Sequence, residues 1–258
     1  MPYRFVVILF FLLFAAVSYF LGSVNFAIIV TKFFTGRDIR KAGSGNAGMT
    51  NVMRMVGFWP GLITLLCDFG KAVLAVSLGK YLLARCLLST APSIVSDASQ
   101  QMLEYGVAVA PIYGASICGL FCILGHMYPI FFRFKGGKGI ACIAGAIFII
   151  DWRVLAILLA IFIAVFLISR IISLASVIAA VCYPVVTYLC FTLLPASDSI
   201  NQAALSAYRP LGIPITVFVT LSAICFALLA LLKHAENIKR LLRGEEKKFK
   251  ISKVRIKK

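Results

Sequence analysis

Seven stretches of the chain are almost wholly apolar, and the polar residues fall in blocks between them. The apolar windows run over residues 5–30, 58–83, 106–125, 139–150, 153–170, 172–194 and 213–232. Within each window the apolar residues are continuous rather than alternating. That pattern predicts membrane-spanning helices, not the strands of a transmembrane barrel. A full crossing takes about 20 residues. The window at 139–150 is too brief for that and predicts a short, tilted or partly re-entrant helix. The first window follows Arg4 and so opens like a signal peptide. Its apolar run continues to Val30, however, which predicts a retained helix.

Composition agrees with the pattern. Hydrophobic residues make up 62% of the 258 positions, against about 45–50% for a soluble domain. The net charge of +17 is large for so apolar a chain, and its placement carries information. With the N-terminus outside, the inside segments are residues 31–57, 126–138, the turn at 170 and the tail from 233. They hold 20 Lys and Arg, against five on the outside, which is the positive-inside bias. The outside loops, 86–105 and 195–212, read as plain connectors. The eight cysteines lie mostly in apolar runs, where a free thiol behaves as a small hydrophobe. Cys118 and Cys122 share a helix face, but two histidines in the whole chain are a poor basis for a zinc site. Neither disulfide nor metal is expected.

The polar motifs fall on the inside. The first is Gly43-Ser44-Gly45-Asn46-Ala47-Gly48-Met49-Thr50-Asn51, followed by Arg54. Glycines that reach positive φ let successive N–H groups turn toward an anion. Ser44, Asn46, Thr50 and Asn51 add donors, and Ser44 or Thr50 is placed to cap a following helix. Arg54 supplies a bidentate fork for phosphate oxygens. The second motif begins at Gly125-His126 and ends in Lys135-Gly136-Gly137-Lys138-Gly139. It has the makings of a phosphate cradle, with close backbone approach and the Lys138 charge, but not the spacing of a Walker A loop. The third is Lys233-His234-Ala235-Glu236-Asn237, running on to Arg240, Gly244 and Glu245. On a helix His234 and Asn237 share a face, Glu236 and Arg240 are spaced to pair, and Gly244 suits the C-terminal cap.

Three further features stand apart. Asp68 and Lys71 lie three residues apart within an apolar window, where ionisable groups are usually paired. Ser173 and Ser176 flank the inside turn at Arg170. From residue 247 seven of twelve residues are basic, a composition suited to anionic lipid headgroups. It is too bare a signal for nucleic acid.

The three inside motifs, in this order and on one side, resemble the acyl-phosphate:glycerol-3-phosphate acyltransferase family of bacteria, the PlsY type. The resemblance covers roughly residues 15–250 and takes in Asp68, Lys71 and the Ser173–Ser176 stretch. Met49, Cys142 and Ala235 depart from the family pattern, which favours a small residue, Thr and a basic residue there. The outside loops are longer than is typical, and the basic tail looks like an addition. The resemblance implies an all-α integral membrane bundle of about seven transmembrane helices, one of them short, with cytoplasmic active-site loops. It further implies a membrane-embedded acyltransferase domain over residues 1–246 and a basic cytoplasmic tail over 247–258. The enzyme is expected in the bacterial inner membrane with the N-terminus periplasmic. Acyl phosphate and glycerol 3-phosphate are the expected substrates, and lysophosphatidic acid and phosphate the products. No cofactor, metal or nucleic acid is expected. Anionic lipid at the tail and the upstream acyl-phosphate-forming enzyme are the expected partners.

The catalytic set is then Ser44, Arg54, Lys138, His234 and Asn237. Substrate contacts fall to Gly45, Asn46, Thr50, Asn51, Gly136, Gly137, Gly139, Ser173 and Ser176. Asp68, Lys71, His126 and Glu245 take structural or accessory roles. The rival reading is an organic-anion or phosphate transporter, which shares the helices, the basic site and the buried pair. Against it, the motifs lie at one face and no internal repeat is visible.

Overall fold

The structure is a computed structural model that describes residues 3–83, 85–86, 100–194, 202 and 215–249, with side chains at 3–4 and 100–108 excepted. The outside loops lie largely beyond these residues, as does the tail from 250. The described elements are helical. Six stretches are long and apolar enough to cross a membrane, and a seventh apolar helix is shorter. The chain is thus a multi-pass membrane protein.

The first apolar stretch is not one helix. It is divided into α1 (Tyr3–Ser23) and α2 (Phe26–Thr35). Asn25 makes the break. Its side chain caps α2 by accepting from the Ile28 N–H at 3.1 Å. Carbonyls freed at the end of α1 would be costly in an apolar setting. Lys71 satisfies two of them, donating to Gly22 O at 2.9 Å and Val24 O at 2.6 Å.

After a 3₁₀ turn at Ile39–Lys41 comes the short α3 (Met49–Met55), then α4 (Phe58–Ser77), which runs on into a π-helical turn at Leu78–Leu83. Helix α5 (Gln100–Met127) starts earlier than the apolar pattern suggested. It packs closely on α1. A side chain at Gly22 would collide with the Cys122 carbonyl, and one at Gly125 with that of Tyr19. Small residues at such crossings let backbones approach without lipid between them.

The short helix is α6 (Ile140–Ile150). It turns at Asp151 into α7 (Trp152–Ser169). Asp151 caps α7 through the Arg153 N–H at 2.9 Å and pairs with the Arg153 guanidinium at 2.6 Å. Helix α6 has 11 residues to the 18 of α7. At 1.5 Å per residue it is about 10 Å shorter than its neighbour. Near its C-terminal end, Lys80 donates to the Ile149 carbonyl at 3.0 Å.

Helices α8 (Ile172–Leu193), α9 (Ile215–Lys233) and the small α10 (Ala235–Leu242) complete the chain. The largest core cluster joins α4 to α9 around Ile123, Ile143, Ile147, Val154, Tyr183 and Phe226. Large apolar side chains such as Leu66, Leu167, Val185 and Leu228 face outward, as expected where lipid is the solvent.

Candidate active site

The three sequence motifs meet at the ends of these helices. The first loop is shaped from within. Gly43 and Gly45 have φ of 59° and 71°, a conformation that favours glycine. Asn51 is buried. Its Nδ2 group donates to Ala42 O at 2.9 Å and Asn46 O at 3.1 Å, and its Oδ1 accepts from the Ser44 N–H at 3.1 Å. Asn51 is thus the internal strut of the loop. The cap of α3 is Gly48, without a side-chain bond, rather than Ser44 or Thr50. Ser44 and Gly45 are exposed, Asn46, Thr50 and Arg54 half-buried.

The second loop is pinned from several sides. Arg40, held in a bidentate pair by Asp38, reaches across to Phe132 O at 2.7 Å and Lys135 O at 3.3 Å. The Arg40 bond holds the Asp38 carboxyl below the usual range against the opposing effect of burial. Lys233 donates to Met127 O at 3.1 Å and sits over the Tyr128 ring. Arg133 and Phe134 both lie in the left-handed region, at φ of 58° and 56°, so the turn into the cradle is strained. Gly136 and Gly137 lie directly on His126. A Cβ at Gly136 would strike the His126 carbonyl, and one at Gly137 the His126 ring and Ala47 O.

Beneath this loop is the buried pair. Lys71 Nζ lies 2.8 Å from Asp68 Oδ1 and 3.0 Å from His126 Nδ1. The Cys142 thiol donates to the Asp68 carbonyl at 3.3 Å. The donor atoms of Asp68, His126 and Cys142 lie within 4.8 Å of one another, a spacing a metal could use. The Lys71 ammonium already supplies the cation there. All eight cysteines are free thiols.

The third segment closes the site. His234 lies between α9 and α10, 4% exposed, and Asn237 is buried one turn on. Lys138 donates to Asn237 Oδ1. The amide of Asn237 donates from Nδ2 to Glu246 Oε1 at 2.6 Å. Glu246 also accepts from Ser173 Oγ at 2.7 Å and from Arg240 Nε at 2.6 Å. Sequence reasoning chose the wrong acid: Glu245 is exposed, and its neighbour Glu246 enters the site. The expected pairing of Glu236 with Arg240 is absent as well, because Glu236 pairs with Lys239 at 3.0 Å. Ser176 is not part of the cluster. Its hydroxyl bonds back to Ile172 O at 2.9 Å. Arg40, Lys233 and Glu246 were missed. Asp38-x-Arg40 was the one available signal; Lys233 looked like any anchoring cation.

Electrostatics mark Lys138 and His234. Burial pushes Lys138 down to about 8, against the pull of Glu246, and the Arg240 and Arg54 charges add to the lowering. Burial, then the Lys138 charge, push His234 down to about 4. His234 is thus neutral at pH 7. Its Nδ1 faces the Ala230 carbonyl at 2.8 Å and must carry the proton, leaving Nε2 as an acceptor. Glu246 is held below the carboxylate range by bonds from Ser173, Arg240 and Asn237, which outweigh burial.

The fold and this site define a class: a polytopic membrane protein whose polar, cation-rich loops gather at one end of its helix bundle. A family profile described as glycerol-3-phosphate acyltransferase matches residues 12–244. The glycerol-3-phosphate acyltransferase of Salinibacter ruber is 35% identical over 230 residues, 89% of this chain and 88% of its own length. The crystal structure of PlsY, an integral membrane glycerol 3-phosphate acyltransferase, in its glycerol 3-phosphate form is 29% identical. It matches with a TM-score of 0.63 over 93% of this chain and 96% of that one. The lysophosphatidic acid form matches at 27% identity, a TM-score of 0.62 and the same coverage. The chain belongs to the glycerol-3-phosphate acyltransferase family, and the transporter reading has no support.

Proposed function

We propose that this protein transfers a fatty acyl group from acyl phosphate to the 1-hydroxyl of glycerol 3-phosphate, giving lysophosphatidic acid and inorganic phosphate. The observation that carries the reading is the junction of Lys138, Asn237 and Glu246 beside a neutral His234. Two phosphates must be held side by side, each with roughly −1.5 to −2 charge. Ser44, the Gly136-Gly137 backbone and Lys138 would hold the acyl phosphate. Arg54, His234 and Asn237 would hold glycerol 3-phosphate, with Gly45, Asn46, Thr50 and Gly139 lining the loops around them. Asn51, Ser173, Asp68, Lys71 and His126 act by shaping the site.

The hydroxyl oxygen attacks the acyl carbonyl carbon. A carbon–oxygen bond forms to glycerol, and the one to phosphate breaks. Because the mixed anhydride is already activated, positioning and charge stabilisation supply most of the rate, and no acyl-enzyme is required. The low pKa of His234 suits hydrogen-bond acceptance from the hydroxyl more than full protonation among the cations. The leaving phosphate oxygen then takes the proton. We place the site on the cytoplasmic side of a bacterial inner membrane, with the N-terminus periplasmic and residues 1–246 forming the catalytic domain. The basic tail from 247 meets anionic headgroups, and the upstream acyl-phosphate-forming enzyme delivers the donor.

The test uses purified protein in phospholipid vesicles, with palmitoyl phosphate and glycerol 3-phosphate. Phosphate and lysophosphatidic acid should appear in equal amounts, and Lys138→Ala should abolish both. A folded wild type that binds glycerol 3-phosphate but forms neither product would overturn the proposal.

A further inference from the structure

The last turn of α5 brings His126 against the cradle twice, by its backbone and by its ring. Its carbonyl accepts from the Gly137 N–H at 3.2 Å. Its ring edge lies on the same glycine, so any other residue there would drive its Cβ into Nε2. Lys138 follows directly in sequence. Among the described residues, Nε2 has no hydrogen-bond partner.

The surroundings of Nδ1 decide where the ring carries its proton. Asp68 and Lys71 of α4 and Cys142 of α6 lie around it. The three N–H groups of Lys71 are directed to Gly22 O at 2.9 Å, Val24 O at 2.6 Å and His126 Nδ1 at 3.0 Å. An ammonium has no acceptor, so Nδ1 accepts. The Asp68 carboxylate pairs with that ammonium at 2.8 Å as a neighbouring charge, without a directed bond. It lies 3.4 Å from Nδ1, too long for a good hydrogen bond. The Cys142 thiol spends its proton on the Asp68 carbonyl. With Nδ1 accepting, the neutral ring carries its proton on Nε2. A second proton, added at Nδ1, would leave that donor in place.

We propose that His126 is a further binding residue for the acyl donor, its Nε2–H donating to a phosphate oxygen from beneath the cradle while Lys138 binds from beside it. The inference rests on the reading of Gly136, Gly137 and Lys138 as the acyl-phosphate subsite. Charge grows on the phosphate as its bond to the acyl carbon breaks, and a fixed donor aimed there strengthens with it. The proton stays on Nε2 throughout. The two histidines of the chain then hold opposite tautomers, Nε2–H at His126 and Nδ1–H at His234.

The test uses the full-length protein in phospholipid nanodiscs, labelled with 15N only at its histidines. His126 should show a protonated Nε2. An analogue of palmitoyl phosphate with CH2 in place of the bridging oxygen should shift that resonance and leave Nδ1 nearly unmoved. His126→Gln, which keeps an NH2 donor near the Nε2 position, assigns the signals. In vesicles His126→Phe should lower kcat/KM for palmitoyl phosphate about tenfold, the scale of one hydrogen bond to a charged group, with KM for glycerol 3-phosphate unchanged. His126→Gln should recover most of that loss. With an active wild type, an unprotonated Nε2, or one that does not move when the analogue saturates the enzyme, overturns the inference alone. So does a folded His126→Phe with undiminished kcat/KM, or a parallel change in kcat and both KM values that His126→Gln does not repair. A wild type without acyl transfer overturns the proposed function and this inference with it.

Discussion

Replacing Glu246 by Gln preserves size and one acceptor oxygen, turns the other into an NH2 donor, and removes the acidic charge bonded to Asn237, Ser173 and Arg240. Glu246 opposes the lowering of the Lys138 pKa, and Arg240, its partner, adds to that lowering. Without the carboxylate both changes act in one direction, and Lys138 loses its proton at lower pH. One charge–charge interaction in a partly solvated site is worth about one pKa unit, or roughly 1.4 kcal/mol. If the protonated ammonium binds the donor phosphate, the alkaline limb of kcat/KM reports Lys138 in the free enzyme. It should fall near 8 in the wild type and about one unit lower in the variant. The loss in kcat/KM would be about fivefold at pH 8 and less than about 1.5-fold at pH 6.5. The assay is phosphate release over pH 6 to about 9.5 with both substrates well below KM, at a temperature where both proteins stay folded. A limb that does not move, or that moves to higher pH, would refute the electrostatic argument.

Other substitutions read other parts of the structure. Lys71→Met leaves Asp68 buried without its cation and frees the Gly22 and Val24 carbonyls. It should cost about 3–5 kcal/mol, seen as loss of thermal stability in detergent, and Asp68→Asn in the same chain should recover part of it. Gly137→Ala should lower kcat/KM by more than about tenfold and lower the melting temperature as well, because the added methyl forces the pinned loop off His126 and the Ala47 carbonyl. A variant at Gly70, where an added Cβ meets nothing within 4 Å, is the matched control. His234 binds its proton more weakly folded than unfolded, so the unfolded chain takes up the extra proton between pH 6.5 and about 4. Stability should therefore fall as pH drops through that window, by up to about 3 kcal/mol. His234→Gln should flatten that part of the melting-temperature profile.

Much of the fold was legible because lipid imposes a simple rule: apolar runs become helices, and cations collect on one side. The shortness of α6 was readable from its length alone. The break at Asn25 was not, since an isolated Asn in an apolar run announces a cap only when something donates to the freed carbonyls. That partner, Lys71, lies 46 residues further on. Within the site the residue types were legible and the division of labour was not. Asn51 looked like one donor among several, yet its bonds are spent inside the loop. Glu245 and Glu246 are chemically identical neighbours. Only the left-handed turn at Gly244 decides which of them faces Ser173 and Asn237. Arg40 and Lys233 were hidden among other cations because their partners are backbone carbonyls, which leave no trace in side-chain composition.

The seven-residue difference between α6 and α7 also bears on how the two substrates are counted. In the proposed enzyme the shorter α6 would set the cradle about 10 Å below the end of α7, level with the upper part of the acyl chains. There a lipid-borne donor can present its head without leaving the bilayer, while a small water-soluble acceptor arrives from above. In the proposed reaction the first substrate then obeys two-dimensional concentration and the second three-dimensional. Diluting palmitoyl phosphate with inert phospholipid, at constant bulk amount, should slow turnover as its mole fraction falls. Diluting the whole vesicle suspension at fixed glycerol 3-phosphate should leave turnover per enzyme unchanged. Lateral crowding of the leaflet, more than the volume of the cell, would then set the donor supply this enzyme experiences.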